Sequence, residues 1–211
     1  MCGIAGFIHK EPREHSQQRI NKMLESIAHR GPDQNEFGIF NHVTLGMTRL
    51  SIVCETEDTI PYTDESGRYS VVYNGEIYNH DEIRSSLRYN FTTSSDAQTV
   101  LANFIAKGVD SFNDYNGMYA FALYDSKGEK LYLVRDKVGE KPLYYTQKEK
   151  MFLFASEIKA LLLEVDAHYF DALSYKAYEF VVGEETLFEG IHSILPGEYL
   201  VVSSGSVYKH S

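Results

Sequence analysis

Short β-rich runs separated by turn signals are the feature that most restricts how this chain can fold. Residues 118–124 and 131–134 are two such runs, and Asp125-Ser126-Lys127-Gly128 between them is typical of a hairpin turn. The same pattern predicts further hairpins, namely 37–40 with 43–47, 143–145 with 151–155 and 198–202 with 206–208. The strands alternate too little with helices for a doubly wound fold, so the pattern predicts an α+β domain with mainly antiparallel sheets.

Apolar residues at helical spacing predict a few helices among these strands. They fall around residues 20–30, 96–107, 157–163 and 170–178. Two more strands are expected at 2–8 and 69–73, and Asn74-Gly75 after the second predicts an abrupt turn. No repeat and no Pro/Gly/Ser-rich linker interrupts the pattern, so residues 1–211 are expected to form one domain.

The acidic composition excludes several functional classes. The 211 residues carry a formal net charge of −10 and no clustered run of Lys or Arg, which disfavours binding to nucleic acid or anionic lipid. No stretch reaches the ~18 apolar residues of a membrane span and the N-terminus lacks a secretory signal, so we expect a cytoplasmic protein without a membrane partner. Because the chain has only Cys2 and Cys54 and no metal-like histidine spacing, we expect no metal or other cofactor.

Cys2 stands directly after the initiator methionine. Removal of Met1 would place a free α-amine on the same residue as the thiol. The ordinary pKa is about 7.7–8.0 for the amine and about 8.5 for the thiol, so at neutral pH about a tenth of the amine is free base and can accept the thiol proton. One residue would then supply both nucleophile and base. The alternative is a buried cysteine that packs as a small hydrophobe.

Along essentially its whole length the chain resembles the glutaminase domain of asparagine synthetases, which are class II, or N-terminal-nucleophile, glutamine amidotransferases. The resemblance is carried, in order, by "MCGIAGF", "HRGPD", "LGMTRLSIV", "VYNGEIYNH", "SSDAQTVL", "GMYAFALYD", "RDKVGEKPLYY", "FASEIKALL" and "LFEGIHSILPGEYL". It implies a four-layer αββα sandwich and hydrolysis of L-glutamine to glutamate and ammonia through a γ-glutamyl thioester at Cys2.

The resemblance also implies how free glutamine is held. Arg49 would bind the α-carboxylate, and a planar guanidinium suits that task. Glu76 and Asp96 would bind the α-ammonium group, and the backbone of Ser51, Ile52 and Val53 would line the pocket. Two plainer roles stay open, since Arg49 could form a surface salt bridge and Asp96 could be the N-cap of its helix.

For the reaction itself, the resemblance implies that the side-chain amide of Asn74 and the backbone N–H of Gly75 form the oxyanion hole. A hairpin turn without a catalytic part is the alternative for this dipeptide. Residues 29–33 are expected to be structural and to shape the floor of the pocket. Met47 and Gln98 replace the histidine and glutamate that are common in the family, which leaves local packing and hydrogen bonding to be explained.

The sequence contains no Ser-Gly-Gly-x-Asp-Ser loop of the kind found in the ATP-pyrophosphatase domain of asparagine synthetases. We therefore expect that domain to be absent from residues 1–211 and the ammonia to pass to a synthetase on a separate chain or in a missing domain. A catalytically silent glutamine-binding or interaction module is the alternative of another class. A homodimer is also left open.

Overall fold

The computed structural model describes residues 1–50, 60–149, 151–169, 179 and 181–211. Strands dominate these ranges, and most are joined by short hairpins. In chain order they are β1 Gly3–Ile8, β2 Gln34–Phe40, β3 Val43–Arg49, β4 Tyr62–Thr63, β5 Tyr69–Ile77, β6 Gly117–Asp125, β7 Lys130–Arg135, β8 Tyr144–Lys148, β9 Met151–Ala155, β10 Ile191–Ser193, β11 Tyr199–Ser203 and β12 Ser206–His210.

Helices are fewer and lie between the hairpins. They are α1 Arg13–Ser26, α2 His80–Ser86, α3 Asp96–Lys107 and α4 Ile158–Leu162, with short 3-10 helices at Ala28–Arg30 and Gly108–Asn113. Helix α3 ends where its sequence predicts, because Gly108 adopts a positive φ of 62° that other residues disfavour. Within the described ranges, no helix is both long enough and apolar enough to cross a membrane.

The strands form two six-stranded sheets in which every named pair is antiparallel. The first sheet has the order β10-β8-β9-β1-β3-β2, and the second has the order β12-β11-β7-β6-β5-β4. Helices α1 and α4 contact the first sheet, whereas α3 contacts the second sheet and α2 packs on α3. The α+β class with mainly antiparallel sheets is therefore confirmed, and the layers follow the order expected of an αββα sandwich.

The alternation of side chains along each strand explains why the first sheet is buried on both faces. Successive side chains of a strand point to opposite faces, so a strand covered on both faces is apolar on both. In β9, Phe152 and Phe154 belong to the core between the sheets, while Leu153 and Ala155 belong to a second core under α1 and α4. The same division places Ile4 of β1 between the sheets and Phe7 under the helices.

Several sequence expectations need correction or extension. The turn predicted at Asn74-Gly75 is wrong, because both residues lie inside β5 and pair with Ala120 and Tyr119 of β6. The first helix ends at Ser26, and a 3-10 helix carries the chain on to Arg30. Strands β4 and β10 and helix α2 were not predicted. The helix expected near 170–178 lies outside the described residues.

Candidate active site

One cavity brings together most of the residues that the sequence motifs nominate. It has a volume of about 200 Å³ and opens at the end of the sandwich where β1 begins and β3 ends. The nominated residues in its wall are Cys2, Arg49, Asn74, Gly75, Glu76 and Asp96. Because β1 and β3 are antiparallel neighbours that pair Gly3 with Thr48, Cys2 and Arg49 meet at the same edge of the first sheet.

Cys2 is partly exposed at the cavity and packs in part against the core between the sheets, so it is not the fully buried residue that the packing alternative describes. Its thiol points toward the carbonyl oxygen of Leu50, with an Sγ–O distance of 3.8 Å. Its own carbonyl accepts a hydrogen bond of 3.0 Å from Nε of Arg30, whose Nη1 in turn donates to Glu157 at 2.9 Å. Arg30, whose side chain is 9% exposed, thus holds the backbone of Cys2 on the side away from the cavity.

Arg49 ends β3 and is only 7% exposed, which excludes the alternative of a surface salt bridge. Its backbone is supported by the segment that follows the 3-10 helix. The N–H of Asp33 donates to the carbonyl of Arg49 at 3.0 Å, and a Cβ on Gly31 would lie 2.5 Å from the Arg49 backbone. Residues 29–33 therefore support Cys2 and Arg49 from behind the cavity wall, as the expected structural role requires, and none of them lines the cavity itself.

Asp96 is the first residue of α3, and Ser95 occupies the N-cap position, so the N-cap alternative is wrong for Asp96. Its Oδ2 accepts hydrogen bonds from the hydroxyl of Tyr73 at 2.7 Å and from the N–H of Ile77 at 2.9 Å. Burial, with the charge of Asp96 beside it, raises the pKa of Tyr73 well above its ordinary value. Tyr73 consequently stays protonated and donates. Both bonds go to Oδ2, so among the described residues Oδ1 of Asp96 stays available to a ligand.

The loop before α3 explains one departure from the family pattern. Oε1 of Gln98 accepts hydrogen bonds from the N–H groups of Thr92 and Thr93 at 3.1 and 3.0 Å, while its Nε2 donates to the hydroxyl of Thr92 at 2.9 Å. An amide can do both at once, whereas a carboxylate only accepts. Gln98 therefore holds the loop that leads to Asp96. Met47, the other departure, packs in the core between the sheets and reaches the cavity wall.

Asn74 lies on β5 and is 1% exposed, and its Nδ2 has no hydrogen-bond partner among the described residues. Since buried amide groups are normally satisfied, an unpaired donor in a cavity wall is a candidate ligand contact. Glu76 lies two residues further along the strand, exposed at the cavity rim. The strand thus presents a neutral donor inside the cavity and a negative charge at its mouth.

The direction of the Gly75 N–H follows from the alternation of β5. The N–H of Tyr78 points toward β6, where it donates to Asn116, and the N–H of Ile77 points the opposite way, to Asp96. Because the direction alternates along a strand, the N–H of Gly75 points away from β6, as that of Ile77 does. A side chain is excluded at this position, because a Cβ on Gly75 would lie 2.2 Å from the carbonyl oxygen of Met118.

The nominated Ser51, Ile52 and Val53 lie outside the described residues, as does Cys54. Sequence reasoning missed other residues that line the cavity, among them Tyr73, His80 and Lys141. They lie within "VYNGEIYNH" and "RDKVGEKPLYY", two of the motifs that carry the family resemblance. No spacing rule, however, indicates that they face Cys2. No cluster of three or more His, Cys, Asp or Glu that could hold a metal ion is found in the part of the chain that the structure describes.

Comparison with known proteins identifies the family. The chain is 38% identical over 165 residues to glutamine-hydrolyzing asparagine synthetase 2 of Bacillus subtilis, covering 76% of this chain and 22% of that protein. It is 34% identical over 214 residues to glutamine-hydrolyzing asparagine synthetase 1 of the same organism, covering 96% of this chain and 33% of that protein. This chain therefore spans about a fifth to a third of the length of these relatives.

A solved structure supports the fold. Glutamine phosphoribosylpyrophosphate amidotransferase from B. subtilis, complexed with ADP and GMP, superposes with a TM-score of 0.70 at 16% identity, covering 99% of this chain and 49% of that chain. The family of glutamine amidotransferase domains matches residues 1–211. The chain therefore belongs to the glutamine amidotransferase domain family.

Proposed function

We propose that this chain hydrolyses L-glutamine to glutamate and ammonia, with Cys2 as the nucleophile. The observation that carries the proposal is the cavity in which Cys2, the buried Arg49, Asp96 and the unpaired Nδ2 of Asn74 meet. These groups match the separate demands of binding a free amino acid and attacking its side-chain amide. The match of the whole chain to the amidotransferase domain family supports the same conclusion.

In the proposed complex, charge fixes both ends of glutamine. Arg49 binds the α-carboxylate, and charge-assisted hydrogen bonds of this kind are worth about 1.5–3 kcal/mol each. Asp96 binds the α-ammonium group through Oδ1, and Glu76 adds negative charge at the rim. Held in this way, glutamine extends its side-chain amide toward Cys2. The backbone of Ser51, Ile52 and Val53 is proposed to complete the pocket beside Arg49.

The proposed reaction has two halves. Once Met1 has been removed, the α-amine of Cys2 accepts the thiol proton, and the thiolate adds to the amide carbon of glutamine. The negative charge on the amide oxygen is stabilised by Nδ2 of Asn74 and the N–H of Gly75, where loss of one donor costs about 2.7–4 kcal/mol in comparable sites. The intermediate expels ammonia and leaves a γ-glutamyl thioester. The third proton of the ammonia comes from the α-ammonium group of Cys2.

In the second half, water adds to the thioester while the α-amine of Cys2 takes a proton from that water. Collapse of this intermediate breaks the carbon–sulfur bond and returns the proton to sulfur. Glutamate leaves, and thiol and amine are restored. The proposed scheme requires no cofactor.

The ammonia is proposed to pass to an ATP-dependent synthetase, either a further domain of a longer chain or a separate subunit. The glutamine-hydrolyzing asparagine synthetases that this chain resembles support this proposal, as does the small share of their length that it spans. We further propose that residues 1–211 form the glutaminase unit and act in the cytosol, where a reducing environment keeps Cys2 as a thiol. A homodimer stays a prediction that a solution mass measurement can check.

A first experiment uses the purified chain without ATP. Intact mass should show loss of Met1, and incubation with glutamine should release glutamate and ammonia in equal amounts. Cys2→Ala should lower the rate at least about a thousand-fold, because the nucleophile is lost. Cys54→Ala is the matched control and should keep the wild-type rate, since the proposal gives the second thiol no role.

Retention of Met1 in an active enzyme would overturn the proposed base, and activity in Cys2→Ala would overturn the nucleophile. The alternative of a silent glutamine-binding module predicts a different pattern. In that case calorimetry would show glutamine binding equally to wild type and Cys2→Ala, with no product formed by either.

A further inference from the structure

Lys141 is a buried cation in the wall of the same cavity, and the proposed reaction leaves it without a role. The residue is 5% exposed, although lysine is almost never fully buried unless it is paired. Its Nζ lies 3.5 Å from Sδ of Met1, the one hydrogen-bond contact of this ammonium group among the described residues. No carboxylate in the described ranges lies within salt-bridge distance of it.

The position of Lys141 is fixed by its own backbone. Its N–H donates to Oδ2 of the fully buried Asp136 at 2.9 Å, and its carbonyl accepts from Nε of Arg135 at 2.8 Å. The guanidinium of Arg135 also donates to the carbonyl of Gly139 at 2.8 Å. These hydrogen bonds fix the backbone of the turn. The first bonds of the Lys141 side chain therefore point in one direction, toward the cavity.

The contact with Met1 locates the ammonium group relative to the candidate nucleophile. Met1 and Cys2 share a peptide bond, so Nζ of Lys141 lies at most about 10 Å from the nitrogen that becomes the α-amine of Cys2. Removal of Met1 deletes the sulfur that contacts Nζ. The processed protein would then have an ammonium group that has lost this contact, beside a second amine and a thiol.

We propose that Lys141 sets the proton state of Cys2, so that the nucleophile and its base act together near neutral pH. This inference rests on the proposed function. A positive charge on Lys141 opposes a second positive charge on the α-amine and favours a negative charge on sulfur. Both effects favour the state in which the amine is a free base and the thiol proton can leave.

Other charged or titratable groups face Cys2 and contribute to the same balance. They are Arg49 from β3, Tyr62 from β4, Tyr73 and Glu76 from β5, His80 from α2 and Asp96 from α3. Behind the backbone of Cys2 lies Arg30, which is paired with Glu157. Oδ2 of Asp96 is already engaged by Tyr73 and Ile77, and Glu76 is exposed at the rim. In the proposed complex Arg49 is neutralised by the substrate carboxylate. Lys141 is then the cation of this set that glutamine leaves unneutralised.

The test compares Lys141→Met with wild type after intact mass has confirmed that Met1 is absent. Two quantities are followed from pH 5.5 to 9.5, namely kcat/KM for glutamine and the rate of Cys2 alkylation by iodoacetamide, read by peptide mass spectrometry. The midpoint of the rising limb should move to higher pH by about one unit in both profiles, as expected for loss of one charge at this distance. Lys141→Arg, which keeps the charge, should keep the midpoint close to the wild-type value.

Lys137→Met is the matched control, because Lys137 is an exposed cation of the same turn that donates to the carbonyl of Asn113 and does not line the cavity. It should move neither midpoint. Unchanged midpoints in Lys141→Met, or an equal shift in Lys137→Met, would overturn the inference. If Lys141→Met does not fold, Lys141→Gln is measured in its place with the same criteria.

This experiment distinguishes failure of the proposed glutaminase function from failure of the proposed role of Lys141. A wild-type protein that releases no glutamate disproves the proposed function, whereas the alkylation midpoint of Cys2 still tests the action of Lys141 on the thiol.

Discussion

Asp96 is oriented by two donors of β5 before any ligand arrives. Tyr73 and Ile77 both bond to Oδ2, so the carboxylate cannot rotate freely and Oδ1 is presented in a constant direction. Such orientation lowers the entropy that a ligand must give up on binding. Tyr73 is therefore a positioning residue for the proposed ammonium site.

Tyr73→Phe removes the hydroxyl that donates to Asp96 and keeps the ring. We expect KM for glutamine to rise about ten-fold, because a hydrogen bond to a charged acceptor is worth about 1.5–3 kcal/mol, while kcat changes little. Steady-state glutaminase kinetics measure both constants. Tyr115→Phe is the control, since that hydroxyl donates to the carbonyl of Val100 in the core at 3.2 Å and should affect stability alone. An unchanged KM in Tyr73→Phe would show that Asp96 needs no such support.

The sequence nominated residues that the structure brings to one cavity, but not the contacts that support them. Cys2 could be nominated from its position after Met1, and Arg49 and Asp96 could be nominated through the family resemblance. Lys141 could not, because a lysine in a polar turn is ordinarily exposed. Its burial depends on the contacts of Arg135 with Ser193 and Ile194, which lie more than fifty residues away in the chain.

The turn at 135–141 depends on a single side chain, that of Asp136. Oδ1 of Asp136 accepts from the N–H groups of Val138 and Glu140 at 3.1 and 3.0 Å, and Oδ2 accepts from those of Tyr119 and Lys141 at 3.3 and 2.9 Å. One carboxylate thus satisfies backbone donors from the turn and from β6. The turn is consequently joined to the sheet that carries the candidate oxyanion donors.

Asp136→Asn replaces one accepting oxygen by a donating NH2 group, whichever way the amide is oriented. Two backbone donors would then face another donor, either those of Val138 and Glu140 or the buried ones of Tyr119 and Lys141, and we expect the free energy of unfolding to fall by about 2–4 kcal/mol. Urea unfolding followed by circular dichroism measures the change. Asp110→Asn, at an exposed position, should stay within about 0.5 kcal/mol of wild type. Equal stability of the two variants would contradict this account of the turn.

The turn predicted at Asn74-Gly75 is absent because strand pairing decides the conformation of these two residues. Asn-Gly favours a turn through local backbone preferences, but here the residues on both sides pair in register with β6, from Tyr69 opposite Asp125 to Ile77 opposite Gly117. A long ladder outweighs a dipeptide preference. The glycine is needed for close approach to Met118, which local sequence cannot reveal. Hairpins such as β6–β7 were predictable because both the strands and the turn are local.

Across the whole molecule, a set of paired carboxylates links stability to pH. Asp125 is an example at the end of β6, where the hydrogen bonds from Arg68, with Nε and Nη2 each 2.8 Å from one carboxylate oxygen, lower its pKa. The pKa values of Glu11, Asp114, Glu157 and Glu184 are also lowered. A carboxylate whose pKa is lower in the folded protein stabilises the fold above its unfolded pKa of about 4, and this contribution is lost as the pH falls below it.

Asp125→Asn should therefore be less stable than wild type at pH 6.5, and the difference in unfolding free energy should shrink as the pH falls to 3. Urea unfolding at both pH values measures it. Asp81→Asn is the control, because the Asp81 side chain is 90% exposed, and it should match wild type at both values. A difference for Asp125→Asn that persists at pH 3 would mean that Asp125 acts through packing and not through its charge.

Strand β4 pairs with β5 at Val71 and Ser70 only, so in the described residues the outer edge of β5 carries no neighbouring strand from Tyr73 onward. An unpaired strand edge is a usual starting point for aggregation, but Tyr73, Asn74 and Ile77 are at most 4% exposed and α3 packs against the strand. In this protein Asp96 accepts from that edge at Ile77, and the proposed substrate would accept from it at Gly75. The backbone donors of this edge are therefore accessible to the carboxylate of Asp96 and to a small molecule in the cavity, but not to a strand of another chain.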